Sequence, residues 1–165
     1  MTADDIIKKL GLIPLPEEGG FYKETYRSPD TIPDDVIPHN GVRCYSSQIY
    51  YLITPDEFSG LHRVKSDEVF HFYLGDPVEM IQIDKDRNLK QFILGPDILS
   101  DQSLQVVVPK GIWQGTRLIN DGQWALMGCT VAPGFEFEDF EIKSRAELIH
   151  EYPQHEMQIT KFTVD

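Results

Sequence analysis

The sequence has few cysteines, few basic residues for its acidic content and no long apolar run, and each shortage excludes a class of protein. Cys44 and Cys129 are the only cysteines in 165 residues. Two cysteines are too few for a disulfide framework, and their wide separation does not form a metal-type pair. We expect both to be reduced in strands of a cytoplasmic protein. No run approaches the ~20 apolar residues of a membrane helix, so we expect no membrane partner.

The charge balance restricts the partners of the protein. Fifteen lysine and arginine residues against 27 aspartate and glutamate residues give a formal net charge of −12. This balance disfavours nucleic acid and anionic membrane surfaces. It leaves an anionic small ligand open, because a local arginine can reverse the field inside a pocket. Asp4 and Asp5 lie in an N-terminal stretch without an apolar run, so we expect no signal peptide. We expect one domain spanning residues 1–165.

Short β-prone segments separated by turn residues fill the middle of the chain. Strands are predicted over residues 44–53, 69–74, 78–83, 89–94, 104–108, 114–119, 124–131 and 135–142. Asn120, Asp121 and Gly122 form a type I′-like turn signal between two of them. This pattern predicts an all-β barrel or sandwich. Because antiparallel sheets must protect their edges, residues 21–26 are a candidate edge strand that is added or exchanged in a homodimer.

Helices are predicted only at the two ends of the chain. Thr2 is a candidate N-cap for a helix that ends at Gly11, and Ser144 with Glu147 forms a capping box. Pro153 suits the first turn of a further helix that runs to Lys161. The Pro- and Asp-rich residues 28–41 predict a loop, either a lid at the rim of a pocket or a solvated excursion.

The residues from Gly60 to Gly75 are the strongest candidates for a site. They introduce His62, Glu68 and His71 into apolar strands, where polar groups are costly unless they are paired. Alternation predicts Glu68, Phe70 and Phe72 on one face of a strand and Val69, His71 and Tyr73 on the other. We interpret the segment as a hairpin with His62 beside Glu68 on the inner face. His71 joins them only if a bulge shifts the register.

A second segment supplies further candidates. Pro109, Lys110 and Gly111 predict a turn before a strand that resumes at Gln114. Alternation predicts Gln114 on one face of that strand and Trp113 on the other.

The two segments together resemble the motifs of the cupin superfamily. The first cupin motif contains two histidines, a glutamate and, after six residues, a glycine, and this sequence matches it with His62, Glu68 and Gly75. Val64 stands where the second histidine would be, and Gly60 lies too close to His62. The second motif is matched by Pro109 and Gly111. Gln114 stands at its histidine position, and Asn120 is displaced from its asparagine position.

A narrower resemblance covers most of the chain. Residues 18–28, 66–75, 113–114 and 128–135 are similar to a cupin-like family of uncharacterised function. The resemblance implies a cupin (RmlC-like) jelly-roll barrel with a central pocket and a dimeric habit. It implies no activity.

The leading functional prediction is a barrel that binds a small polar metabolite, sugar-like or nucleotide-like. Cupin-like dTDP-sugar epimerases use a histidine base and a tyrosine acid, so the resemblance favours metal-independent isomerisation or epimerisation if the protein is an enzyme. The candidate catalytic residues are His62, Glu68, His71 and Tyr73, with Tyr50 and Tyr51 as alternative acids. The candidate ligand-binding residues are Gln114, Trp113, Arg27 and Tyr50.

Two alternatives stay open. The first is a metal-dependent cupin oxygenase or isomerase with His62, Glu68 and Gln114 as ligands of a divalent metal. Val64 has no donor atom and a glutamine oxygen is a poor ligand for a transition metal, so we expect no cofactor. The second is a non-catalytic ligand-binding or storage barrel, in which His62 and Glu68 only satisfy one another's hydrogen bonds.

Overall fold

A computed structural model describes residues 1–119 and 121–164. The first residue of the predicted turn, Asn120, lies outside the described residues. The α-helices are α1 (Ala3–Leu10), α2 (Arg145–Glu151) and α3 (Glu156–Lys161), and two 3-10 helices span Phe137–Asp139 and Pro153–His155. The strands are β1 (Ile13–Pro14), β2 (Phe21–Arg27), β3 (Thr31–Ile32), β4 (Arg43–Cys44), β5 (Ser47–Ile53), β6 (Ser59–Val64), β7 (Asp67–Gly75), β8 (Val78–Ile83), β9 (Leu89–Leu94), β10 (Gln105–Val108), β11 (Trp113–Leu118), β12 (Ala125–Ala132) and β13 (Phe140–Ile142).

Two antiparallel sheets form the barrel. One has the strand order β1-β2-β5-β12-β7-β10 and the other has the order β13-β6-β11-β8-β9. A short third sheet pairs β3 with β4. The predicted all-β jelly roll with short terminal helices is confirmed.

The packing separates the two faces of each sheet. In β7, Glu68, Phe70 and Phe72 are buried, whereas His71 is half-buried and Tyr73 is exposed. An apolar cluster fills the space between the sheets, a second joins the outer face of the β11 sheet to α2 and α3, and a third joins α1 to the outer face of the other sheet. The terminal helices therefore cover the outside of the barrel and leave its interior to the strands.

The predicted helix ends are confirmed. Thr2 and Ser144 each accept a hydrogen bond from the backbone of the third helical residue, and both capping boxes form. Gly11 ends α1 with φ 67°, in the left-handed region that glycine adopts without strain. Within residues 1–119 and 121–164, no helix combines the length and the apolar character needed to cross a membrane. Cys44 and Cys129 are free and buried.

The predicted hairpin between His62 and Glu68 is wrong. β6 pairs with β11 and β13, whereas β7 pairs with β12 and β10. The short connection at Lys65 and Ser66 therefore crosses from one sheet to the other, and the two strands face each other across the barrel. Such a crossing is invisible in a sequence pattern because alternation encodes the face of a residue and not the partner of its strand.

Other predicted segments are shorter or interrupted. The strand predicted over residues 135–142 is reduced to β13 behind a 3-10 helix, and the strand predicted over residues 44–53 breaks between β4 and β5. Residues 21–26 form part of β2, which pairs with β5 of the same chain.

A buried ion pair ties the segment after β12 to β4. Arg43 Nε and Nη2 donate to the two carboxylate oxygens of Asp139 at 2.7 and 2.9 Å. Both side chains are almost completely excluded from solvent, with exposed fractions of 1% and 0%. Because an unpaired buried guanidinium is costly, this pair fixes the 3-10 helix Phe137–Asp139 against the barrel.

We expect Asp139→Ala to lower the free energy of unfolding by about 3 kcal/mol, the lower end for a broken buried pair, because Arg43 loses its bidentate partner and keeps only the exposed Glu138 as a charged partner. Glu141→Ala is the matched control. It breaks the Arg63–Glu141 pair, whose side chains are 33% and 43% exposed, and we expect a loss of about 1 kcal/mol or less. Urea denaturation of the three proteins measures both values, and equal losses in the two variants would contradict the assignment.

Candidate functional site

A cavity of about 350 Å³ lies between the sheets. Its apolar wall includes Leu15, Ile49, Val64, Phe70, Val131, Phe135 and Phe137. The buried polar groups Glu68, Tyr51 and Cys129 line its inner part, and the exposed Arg27 and the half-buried Glu136 line its rim. An apolar enclosure with a few convergent polar groups is the usual form of a small-molecule site.

Glu68 is the carboxyl group at the inner end of the cavity. Gln114 Nε2 donates to its Oε2 at 3.4 Å, and the Cys129 thiol donates to its Oε1 at 3.7 Å. The pKa of Glu68 is raised to about 7, mainly by burial and partly by the nearby Glu18, while His62 and the hydrogen bonds from Gln114 and Cys129 oppose the increase. Glu68 therefore changes its protonation state near neutral pH, unlike an ordinary glutamate.

His62 is separated from Glu68 by Gln114, and both of its ring nitrogens form hydrogen bonds. Its Nδ1 donates to the carbonyl oxygen of Gly60 at 2.8 Å, so its Nε2 accepts from Gln114 Nε2, also at 2.8 Å. The ring stacks on Phe140 with centroids 5.1 Å apart. These contacts fix the orientation of the imidazole, and His62 does not itself line the cavity.

Gln114 joins the two sheets at the centre of the site. It lies opposite His62 in the pairing of β11 with β6 and is completely buried. Its amide nitrogen contacts both His62 and Glu68, whereas its Oε1 is buried with no hydrogen-bond partner among the described residues. His62 and Glu68 are therefore linked across the barrel through Gln114 rather than lying side by side as predicted.

Glu18 lines the cavity although the sequence pattern does not identify it as a candidate site residue. Ser59 Oγ donates to its Oε1 at 2.9 Å, and its Oε2 lies 3.7 Å from His62 Nε2. Gly19 follows with φ 98°, and a Cβ there would lie 2.2 Å from the carbonyl oxygen of Phe58. The close backbone approach thus requires glycine after Glu18, and an acidic residue before a Gly-Gly pair is the signal that could have identified it.

Tyr51 is the tyrosine that lines the cavity. Its hydroxyl donates to the carbonyl oxygen of Gly19 at 2.9 Å. Burial, assisted by the nearby Glu18, raises the pKa of Tyr51 well above its ordinary value. Its hydroxyl therefore stays protonated over the neutral pH range.

Three other predicted site residues lie on the outer face of the first sheet. His71 contacts Thr130 Oγ1 at 3.1 Å and Gln105 Nε2 at 2.9 Å, and burial lowers its pKa. Its ring stacks on Tyr73, which contacts Tyr50 edge-on. The pairing of β7 with β12 shifts register only between Phe72 and Leu74, after His71, and its pairing with β10 is continuous, so no bulge turns His71 inward. His71, Tyr73 and Tyr50 are therefore corrected to positions outside the cavity.

Trp113 also lies outside the cavity. Strand alternation turns it away from Gln114, into the apolar cluster between β11 and the C-terminal helices. The Arg63 guanidinium lies over its ring, 4.7 Å from the centroid. Residues 28–41, the predicted loop and candidate lid, do not line the cavity. Residues 135–137 do line it.

The residues present do not fit the metal centre that the cupin resemblance implies. His62 Nε2, the expected ligand atom, accepts a hydrogen bond from Gln114, and Val64 lines the cavity without a donor atom. No group of three or more His, Cys, Asp or Glu residues within the described ranges could hold a metal ion.

Comparisons with known proteins agree with this fold. A hypothetical protein from Leishmania major has a TM-score of 0.90 and 35% identity, with 100% of both chains covered. A protein from Shewanella oneidensis has a TM-score of 0.89 and 36% identity, covering 99% of this chain and 98% of its own. An uncharacterized protein of Saccharomyces cerevisiae is 32% identical over an alignment of 144 residues, with 81% of this chain and 72% of the yeast protein covered.

The family assignment follows from a match to a family model. The model described as Cupin superfamily (DUF985) matches residues 4–143, which include both predicted cupin motifs and every side chain of the cavity named above. The chain therefore belongs to the DUF985 family of the cupin superfamily.

Proposed function

We propose that the cavity binds a small polar metabolite bearing a carbonyl group, and that Glu68 moves a proton at the adjacent carbon as a metal-independent isomerase or epimerase. The observation that carries the proposal is a buried carboxyl group at the inner end of an apolar cavity with a pKa of about 7. A group with a pKa near the working pH both accepts and returns protons efficiently.

The surroundings of Glu68 support this role. The Gln114 amide contacts its Oε2 and the Cys129 thiol contacts its Oε1, so both oxygens have a defined orientation. His62 holds Gln114 from behind through the 2.8 Å contact. We therefore assign Glu68 as the base, and His62 and Gln114 as positioning residues. This assignment replaces the histidine base that the resemblance favoured.

The proposed chemistry is a reversible proton transfer. The Glu68 carboxylate takes the proton from the carbon beside the ligand's carbonyl, and the C–H electron pair forms the double bond of an enolate. The Tyr51 hydroxyl lines the same cavity and stays protonated, and it donates to the enolate oxygen once the ligand displaces its hydrogen bond to the Gly19 carbonyl oxygen. In isomerisation, Glu68 then returns the proton to the neighbouring carbon, while the hydroxyl proton of the first carbon moves to the former carbonyl oxygen. In epimerisation, the enolate turns its opposite face towards Glu68 before the proton returns to the same carbon.

Exchange of ligand hydrogen with solvent tests the transfer directly. In D₂O, we expect a panel of aldoses, ketoses and amino sugars to include a ligand whose C–H beside the carbonyl becomes deuterated in the presence of the protein, measured by ¹H NMR. We expect Glu68→Gln to reduce the exchange rate about 100-fold or more, since general base catalysis contributes ~10²–10⁴.

His71→Ala is the control for this experiment, because His71 lies on the outer face of the sheet and should leave the exchange rate unchanged. Ligand-observed NMR shows whether Glu68→Gln still binds the sugar. Binding to the wild-type protein without any deuteration would overturn the proton transfer and favour a non-catalytic binding barrel.

The raised pKa of Glu68 also predicts a pH dependence of stability. The folded protein retains the Glu68 proton up to about pH 7, whereas an ordinary glutamate in the unfolded chain loses it near 4.5. The unfolded state therefore binds fewer protons between these values, and the contribution of Glu68 to stability falls as the pH rises. We expect this contribution to fall by about 3 kcal/mol in total.

The comparison uses Glu68→Gln, which cannot ionise. The free energy of unfolding of the wild-type protein should fall relative to that of Glu68→Gln from pH 4 to pH 8, in urea denaturation. Glu18, His62 and Cys129 face Glu68 and stay present in both proteins. Glu57→Gln, at an exposed site, should show no such difference, and a pH-independent difference between wild type and Glu68→Gln would refute the raised pKa.

A further inference from the structure

We propose that the cavity selects a neutral or cationic ligand rich in hydrogen-bond donors, of the aldose, ketose or amino sugar class, and excludes anions such as sugar phosphates and nucleotides. This inference rests on the proposed function for the location of the site and adds its substrate class. It replaces the open choice between sugar-like and nucleotide-like ligands, and three observations carry it.

The first observation is the charge of the lining. Among the described residues, four carboxyl groups line the cavity, those of Glu18, Glu24, Glu68 and Glu136. The only basic side chain described there is Arg27. An anion that enters the apolar enclosure therefore meets an excess of like charge, and low-dielectric surroundings strengthen the repulsion.

The second observation is that Arg27 has no free donor for an anion. Its Nε and Nη2 donate to Glu24 at 3.1 and 2.9 Å, and Nη1 donates to Glu136 at 2.8 Å. The remaining two N–H groups donate to the Phe135 carbonyl oxygen at 3.1 Å and to Cys44 Sγ at 3.5 Å. A guanidinium has five N–H donors, and all five are used. Arg27, a candidate ligand-binding residue by sequence, therefore lines the cavity with its guanidinium already occupied.

The third observation is the inventory of hydrogen-bonding groups. The four carboxyl groups are acceptors in their ionised forms, and the Tyr51 hydroxyl already donates to Gly19. The Ser47 hydroxyl oxygen accepts from the Phe135 backbone N–H, so the hydroxyls of Ser47 and Tyr22 are the few donors that the lining offers against four carboxyl groups. A ligand that satisfies such a lining brings several O–H or N–H donors of its own. The volume of about 350 Å³ suits one sugar unit, at the small end of known ligand pockets.

Three hexose derivatives of matched size test the selectivity. Glucose is neutral, glucosamine is cationic and glucuronate is anionic at pH 7, and ligand-observed NMR titration up to 50 mM gives their dissociation constants. We expect glucose and glucosamine to bind and glucuronate to bind at least tenfold more weakly than glucosamine. Equal or tighter binding of glucuronate overturns the proposal, and so does the failure of all three sugars to bind.

A double variant tests the role of Arg27. Glu24→Gln with Glu136→Gln removes the two carboxylates that occupy the guanidinium, and we expect at least a tenfold gain in glucuronate affinity. Glu57→Gln with Glu156→Gln makes the same change of net charge at exposed sites outside the cavity, and we expect no gain. Thermal melting checks that both variants are folded, and an equal gain in both variants would assign the effect to overall charge.

The outcomes separate this inference from the proposed function. Selectivity is measured from binding alone, whereas the proton transfer is measured from deuterium incorporation. Binding of glucosamine without exchange removes the proposed reaction and leaves the selectivity. Exchange on an anionic sugar that binds as tightly as glucosamine removes the selectivity and leaves the reaction.

Discussion

The burial of the Glu68 carboxyl is the constraint on which the rest of the site depends. An ionised carboxylate inside an apolar barrel is strongly disfavoured, so the group either keeps its proton or acquires partners. Gln114, Cys129 and the imidazole of His62 supply those partners only in part. The carboxyl therefore remains close to the balance between its two protonation states. Reactive proton chemistry needs this balance, which an exposed glutamate or one in a tight ion pair lacks.

The wall of the cavity depends on two arginines that act in different ways. Arg43 and Asp139 form a buried bidentate pair that fixes the 3-10 helix after β12. Arg27 joins β2 to Glu136 and to the Phe135 carbonyl oxygen at the rim. The first pair is structural because it is sealed from solvent. Arg27 neutralises negative charge at the entrance of the cavity, and all of its N–H donors are occupied. It therefore closes the wall without offering a binding site for an anion.

Much of the fold was predictable, because its signals are local. The capping residues Thr2 and Ser144 and the alternation of β7 each depend on neighbours within a few residues, and the structure confirms them. Pairing between distant strands is not local. The sequence pattern correctly assigned Glu68 to an inner face, but it could not show that β6 and β7 belong to opposite sheets.

The same limit applies to the site. Arg27 resembles an anion-binding residue until Glu136, 109 positions away, is seen to occupy it. Tyr50 and Tyr51 are neighbouring tyrosines that the sequence does not distinguish as candidate acids. Only the register of β5 shows that Tyr51 faces the cavity. Glu18 lies far from residues 60–75 in the sequence. It approaches His62 because Gly19 allows the backbone to pass close to the carbonyl oxygen of Phe58. Each of these residues acquires its role from a contact across the barrel.

The substitutions at the cupin motif positions have a common physical consequence. Val64 contributes only an apolar surface to the cavity, and Gln114 contributes a neutral amide that hydrogen-bonds His62. Neither residue adds a positive charge or a metal ligand that would hold Glu68 ionised. A bound cation would lower the pKa of a carboxyl ligand, whereas the apolar valine and neutral glutamine leave burial to raise it. The fold alone therefore does not determine the chemistry. In this barrel, valine and glutamine at two positions where the cupin motifs have histidines leave the buried Glu68 carboxyl with a raised pKa.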